Sequence, residues 1–143
     1  MVTSQQLLAK YGDPSNKKNE AKYMVLWDVP TELEIGVIPK RLYCHKLMVP
    51  ILTQFFKNLI DRGLVKELKT FDGCFNVRKK RGLSSWSLHA WGLAIDVNAS
   101  WNQLGAKPTL TKAFVKAGKD AGLEWGGDWV SRVDGMHFQI AAI

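Results

Sequence analysis

The stretch SLHAWGLAIDVN, residues 87–98, carries one histidine and one aspartate among residues that are mostly small or apolar. The chain has three histidines in all, His45, His89 and His137. Two imidazoles and one carboxylate form a donor set that suits zinc, and three protein ligands leave a fourth position open, as catalytic zinc sites require. A metal held in this way lowers the pKa of a bound water and polarises a carbonyl oxygen. The competing reading makes each of these groups a hydrogen-bonded polar residue of an apolar strand. Residue types alone leave both readings open.

Spacing narrows the geometry. Alternate residues of a strand share a face. Over Gly92–Asn98 one face carries Leu93, Ile95 and Val97, and the other carries Gly92, Ala94, Asp96 and Asn98. The bulky face is the core side. The small face is expected to leave open space above the sheet, enough for a metal and a substrate. His89 precedes Asp96 by seven positions, about 23 Å if extended, which is too far for one ion. The chain must turn back between them, and Ala90–Gly92 is the place, with Gly92 supplying the turn. Met136–Ala141 alternates too, with Met136, Phe138 and Ile140 on the core face and His137, Gln139 and Ala141 on the other. His137 is therefore the candidate third ligand. Hydrolysis also needs a general base. Asp134 lies three positions before His137, and Gly135 between them can break the pleat. Glu124 is the rival, and Asp128 a weaker one.

The elements that must hold these groups can be read along the chain. Thr3–Tyr11 reads as a short helix capped by Thr3 or Ser4, and residues 12–20 as a polar loop. KYMVLWDV and RLYCHK read as strands. From Leu47 to Ile60 the apolar residues recur with helical period. Pro50 is placed in the first turn of that helix, and Gly63 follows as its stop. LVKELKTF reads as a strand, and DGCFNVR as a turn with a further short strand. PTLTKAFVKAGKDAGL reads as a second long helix, capped by Thr109 or Thr111 and ended by Gly122. WGGDW is a Gly-rich turn, and MHFQIA the last strand. Helices and strands mix without βαβ alternation. The fold class expected is α+β, a central, mainly antiparallel sheet with helices packed on it.

The 143 residues suit one domain, residues 1–143, with no room for a separate binding module. No apolar run approaches the roughly 20 residues of a membrane span, so no stable membrane insertion is expected. MVTSQQLLAKYGDP lacks a basic segment followed by an apolar one, so the chain is read as synthesised without a secretory signal. Cys44 and Cys74 read as free thiols, and the adjacency of Cys44 and His45 is no sign of a catalytic pair. Net charge is +7 with a pI near 9.5, a field that attracts polyanions. RKKR, residues 78–81, is the one basic cluster. Nucleic-acid binders usually show a longer basic stripe, so no nucleic acid is expected as partner.

Ser87-x-His89-x-x-Gly92-x-Ala94-x-Asp96, followed by Asp134-x-x-His137, resembles the signature of the zinc DD-peptidases. This D-alanyl-D-alanine carboxypeptidase and dipeptidase family shares its fold with lysostaphin-type enzymes and the hedgehog signalling domain. FDGCFNVRKKRG, WSLHAWGLAIDVN and LEWGGDW…DGMHF resemble, in order, blocks of the family's phage endolysins, the L-alanyl-D-glutamate peptidases. The resemblance covers residues 70–140, and the N-terminal part more loosely. It implies a hedgehog/DD-peptidase-like fold, Zn2+ on His89, Asp96 and His137, and Asp134 as the base that later protonates the leaving amine. It implies an oxyanion- or substrate-gripping arginine, Arg78 or, as second choice, Arg81. Ser87 would hydrogen-bond substrate or orient the site. Trp91, with Trp86, Trp125 and Trp129, flanks these blocks and would wall the groove or stack on glycan, the alternative being plain core or rim packing. The activity implied is hydrolysis of the L-alanyl-D-glutamate bond of bacterial peptidoglycan by a monomer. Such an enzyme accumulates in the host cytoplasm and reaches the cell wall through a holin-type pore. The alternatives are a D-alanyl-D-alanine carboxypeptidase or dipeptidase and, from another class, a non-catalytic metal- or nucleic-acid-binding module.

Overall fold

In the computed structural model, which describes residues 1–143, the chain forms four α-helices and six strands joined by short 3-10 turns. Helix α1 (Ser4–Tyr11) starts at Thr3 with a capping box. The Thr3 hydroxyl accepts from the Gln6 N–H, and the Gln6 side chain accepts from the Thr3 N–H. The expected polar loop is interrupted by a second helix, α2 (Lys17–Tyr23). None of its residues is buried, so no apolar stripe could reveal it. It is held by its Asn16 cap and by Tyr43, whose hydroxyl donates to Glu20 at 2.8 Å.

Helix α3 (Met48–Asp61) has Pro50 in its first turn and buries Met48, Leu52, Phe55, Phe56 and Leu59, the stripe that its period requires. Helix α4 (Lys112–Asp120) starts at Thr111, whose hydroxyl accepts from the Phe114 N–H at 3.1 Å.

Strands β1 (Met24–Asp28) and β2 (Arg41–His45) form an antiparallel pair. A second, four-stranded antiparallel sheet has the order β3-β4-β6-β5, from Phe71–Gly73, Ala94–Val97, His137–Ile140 and Leu123–Trp125. The architecture is α+β with antiparallel sheets, as the mixed element order implies. Three local expectations do not hold. Residues 64–70 of the expected strand over 64–71 are not a strand: Val65–Glu67 is a 3-10 turn, and only Phe71 belongs to a strand, β3. The Asn98 side chain accepts from Lys69 and Thr70 N–H and donates to the Glu67 carbonyl, replacing a strand ladder with side-chain bonds. Residues 74–78 form no strand either, and Asn76 N–H donates instead to the His89 carbonyl. Conversely, β5 is a real strand that three residues are too few to announce by alternation.

The core runs unbroken from the β1–β2 pair through α3 and α4 to the four-stranded sheet. Its centre is aromatic. Phe55 of α3 and Phe114 of α4 lie 5.8 and 6.2 Å from Phe138 of β6. A Cβ at Gly118 would come within 2.9 Å of the Phe138 ring, so α4 lies close on the sheet because it carries glycine there. Both helices therefore cover one face of β6. The opposite face presents His137 and Gln139.

Candidate metal centre

The loop before β4 is built to return His89 over the sheet. The Ser87 hydroxyl accepts from the His89 N–H at 3.3 Å and opens a 3-10 turn, Leu88–Trp91. Gly92 then takes a left-handed conformation (φ +66°), and its carbonyl accepts from the His45 N–H at 3.1 Å. Asp96 of β4 and His137 of β6 are direct cross-strand partners, which places their side chains on one face. One ligand atom each from His89, Asp96 and His137 falls within a mutual 4.8 Å.

The histidine tautomers follow from their other nitrogens. His89 Nδ1 lies 2.7 Å from the Cys74 carbonyl. A carbonyl only accepts, so Nδ1 carries the proton and Nε2 turns its lone pair toward Asp96, 3.1 Å away. His137 Nε2 lies 2.9 Å from Gln139 Oε1. The Gln139 amide N–H groups donate to Val2 O and Glu124 Oε2, each at 3.4 Å, so the amide oxygen faces the ring and accepts. His137 Nδ1 is then the free lone pair, 3.6 Å from Asp96 Oδ1. Metal-ligating histidines are commonly fixed by such a partner on the far nitrogen.

His89 Nε2 and Asp96 Oδ1 are buried and have no hydrogen-bond partner. Orphaned buried polar atoms are uncommon and costly, and here two of them face one point. The nitrogen, nitrogen and carboxylate donors suit zinc. Burial alone would raise the Asp96 carboxyl. When His137 and His89 carry a second proton, on the nitrogens facing Asp96, their hydrogen bonds and charge outweigh it and hold the group well below the usual carboxylate range.

Above this point lies a cavity of about 500 Å³. Asp96, Asp134, His137, Arg78 and Ser87 all line it. Asp134 heads the turn into β6, its N–H donating to the Gly126 carbonyl and its carbonyl accepting from the His137 N–H. Gly126 must be glycine, since a Cβ there would lie 2.5 Å from the Asp134 carbonyl oxygen. Asp134 Oδ1 is buried without a partner. Burial pushes its carboxyl up, against the pull of the neighbouring His137.

The other candidates divide. Arg78 and Arg81 both reach the cavity. Ser87 reaches it, with its oxygen already accepting from His89 N–H. Trp91 does not: it is buried, and its indole N–H donates to the Gly12 carbonyl on the far side of the loop. Its place beside His89 in sequence is undone by the 3-10 turn, which points neighbours in different directions. Trp129 is the tryptophan that lines the cavity, 5.3 Å from the His137 ring. Glu124 lies outside it and accepts from the Trp129 and Gln139 side chains. Asp128 pairs with Lys119 at the surface. The small face of β4 is not open along its length: Ala94 is fully buried, and open space begins at Asp96. Cys44 and Cys74 are buried free thiols outside the cavity, and burial pushes Cys44 up to about 11. Sequence reasoning passed over Gln139, although it stands two residues from His137 on the same strand face.

Residues 81–140 match the family model described as D-alanyl-D-alanine carboxypeptidase. The matched stretch contains Arg81, His89, Asp96, Asp134 and His137, and begins after Arg78. No curated protein matches the chain. No helix is long and apolar enough to cross a membrane.

Proposed function

We propose that the chain is a zinc-dependent peptidoglycan peptidase, a single catalytic domain that hydrolyses the L-alanyl-D-glutamate bond of the stem peptide, as a phage endolysin does after holin-dependent release. The observation that carries this reading is the convergence of His89, Asp96 and His137 within 4.8 Å beside a cavity that Asp96 and His137 line together with Asp134 and Arg78. The matched family description supports a peptidase acting on wall peptides. The L-alanyl-D-glutamate bond rests on the likeness of the sequence blocks to that group of endolysins.

His89 Nε2, Asp96 and His137 Nδ1 would hold the metal. Zinc there would supply Lewis acidity toward the scissile carbonyl and the attacking water. Asp134 is placed to take the proton from that water. Its buried, partner-free oxygen and raised pKa suit a group that must accept a proton and give it back. The same carboxyl then protonates the leaving amine. Arg78, a permanently charged planar donor, steadies the oxygen on which charge develops. No side chain need form a covalent bond to substrate, so the cysteines have no role in the chemistry.

The test is digestion of purified peptidoglycan, with and without chelator, followed by mass spectrometry of the products. New amino termini on D-glutamate, lost in chelator and restored by zinc, are expected. Release of D-alanine alone would assign the chain to D-alanyl-D-alanine carboxypeptidases, the reading that the matched description favours. Unchanged digestion by metal-free protein would refute the zinc mechanism. Asp134→Asn should keep the metal and lose turnover; a normal rate would move the base to Glu124.

A further inference from the structure

The cavity is more basic than the proposed hydrolysis requires. Four cations line it, Arg78, Lys80, Arg81 and Arg132, against two carboxylates, Asp96 and Asp134. Asp96 faces the histidines, and Asp134 is assigned to proton transfer. None of the four cations forms an ion pair, although five other lysine and arginine side chains of the chain, Lys17, Arg41, Arg62, Lys116 and Lys119, do so with carboxylates.

Two of the four have placements that ordinary surface residues lack. Lys80 sits in a tight reversal, where its N–H donates to the Ser85 carbonyl and its carbonyl accepts from the Leu83 N–H. The adjacent Lys79 turns outward and lies 3.7 Å over the Trp86 ring, while Lys80 is half-buried at the cavity. Arg132 comes from a different loop, between β5 and β6, and adopts φ +55°, a left-handed conformation disfavoured for a residue with a Cβ. The neighbouring backbone is fixed on both sides. The Gly105 N–H donates to Val133 O at 2.7 Å, and the Asp134 N–H donates to Gly126 O at 3.0 Å. Lys80, half-buried, and Arg132, exposed, thus line one cavity from two loops, and burial and then the charge of Arg132 lower the Lys80 pKa.

We infer that Lys80 and Arg132 form a carboxylate clamp at the cavity, a specificity-determining pair that selects peptides with a free carboxylate beside the bond that is cut. Two loops bring like charges to one cavity whose own carboxylates are otherwise engaged, and an anionic ligand there would be attracted by both. A carboxylate has two oxygens and can accept from the lysine ammonium and the arginine fork together. A carboxamide of the same shape brings no charge and one acceptor oxygen. The clamp rests on the peptidase reading above, and it deepens that reading by naming which wall peptides are taken.

The probes are L-Ala-γ-D-Glu-L-Lys-D-Ala with a free D-Glu α-carboxylate and the same peptide with an α-carboxamide there. Cleavage by the zinc-loaded chain is followed by mass spectrometry. Binding is followed by calorimetry on the same pair with the L-Ala–D-Glu amide N-methylated. The carboxylate form should be preferred about tenfold or more in both readouts. Lys80→Met with Arg132→Met should bring the two probes within about twofold of each other while zinc content is retained. Lys80→Glu should reverse the preference and serves as the second variant if the double one folds poorly. Equal handling of the two probes by the wild type, or a preference that survives in the double variant, would overturn the clamp. If neither probe is cut but the binding preference holds, the clamp stands and the bond assignment falls. If both are cut without preference, the clamp falls and the bond assignment stands.

Discussion

Replacing Gly92 by alanine tests whether the return of His89 over the sheet depends on one residue. Gly92 has φ +66°, and a Cβ there would lie 2.8 Å from the His45 backbone nitrogen and 2.6 Å from Met24 Cε. Met24 can move aside; the His45 backbone is fixed in β2 and bonded to the Gly92 carbonyl. Gly63 is the matched control, with φ +68° and nothing within 4 Å of its Cβ position. Left-handed alanine costs about 1–2 kcal/mol, partly offset by the less flexible unfolded chain. Gly63→Ala should therefore cost about 1 kcal/mol. Gly92→Ala adds an overpacking cost of about 1–3 kcal/mol, for a total of about 3 kcal/mol. At this chain length 1 kcal/mol corresponds to about 3 °C in Tm. Thermal unfolding of metal-free protein should then show a fall of about 10 °C for Gly92→Ala and about 3 °C for Gly63→Ala. Zinc affinity should drop for Gly92→Ala alone, because the displaced turn carries His89. Equal Tm shifts for the two variants, or unchanged zinc affinity in Gly92→Ala, would refute the claim that close approach at this glycine sets the site.

Two further outcomes are expected. Gln139→Leu removes the acceptor that keeps the His137 proton on Nε2, and zinc affinity measured by competition with a chromophoric chelator should fall about 10- to 100-fold with circular dichroism unchanged. His45 is buried between Tyr11 and Tyr23, and burial first, then the charge of Lys46, lowers its pKa to about 4. The unfolded chain binds this proton near pH 6.5 and the folded chain only near 4, so its contribution is full above 6.5 and is lost as pH falls toward 4. The loss is at most about 3 kcal/mol. Urea unfolding at pH 7 and pH 4.5 should show a smaller pH dependence in His45→Gln, whose amide can still accept from the Leu47 N–H; an identical pH dependence would contradict the burial of a neutral imidazole.

What the sequence determined by itself is local and periodic. The period of two in Gly92–Asn98 and Met136–Ala141 assigned Asp96 and His137 to one kind of face, because strand geometry alternates whatever else the chain does. The reach of seven residues forced a turn between His89 and Asp96, and only one glycine lay where it was needed. Helix α3 was legible from its apolar stripe, and the caps as one of two hydroxyls each, Thr3 or Ser4 and Thr109 or Thr111, between which the structure chose Thr3 and Thr111. Tertiary structure decided whatever depends on partners far along the chain. Helix α2 has no stripe and answers to Tyr43. Residues 64–71 alternate like a strand, yet only Phe71 joins one, and the backbone of Glu67, Lys69 and Thr70 is taken up by the Asn98 side chain. The tautomers of His89 and His137 are set by Cys74 and Gln139, and Trp91 is turned away by a 3-10 turn that one-dimensional adjacency hides. The cross-strand pairing of Asp96 with His137 and the shared cavity of Lys80 and Arg132 join positions about forty to fifty residues apart in the chain. A pattern of residue types carries no record of such distances, because the free energy that fixes them comes from burying the Phe55, Phe114 and Phe138 core between helices and sheet.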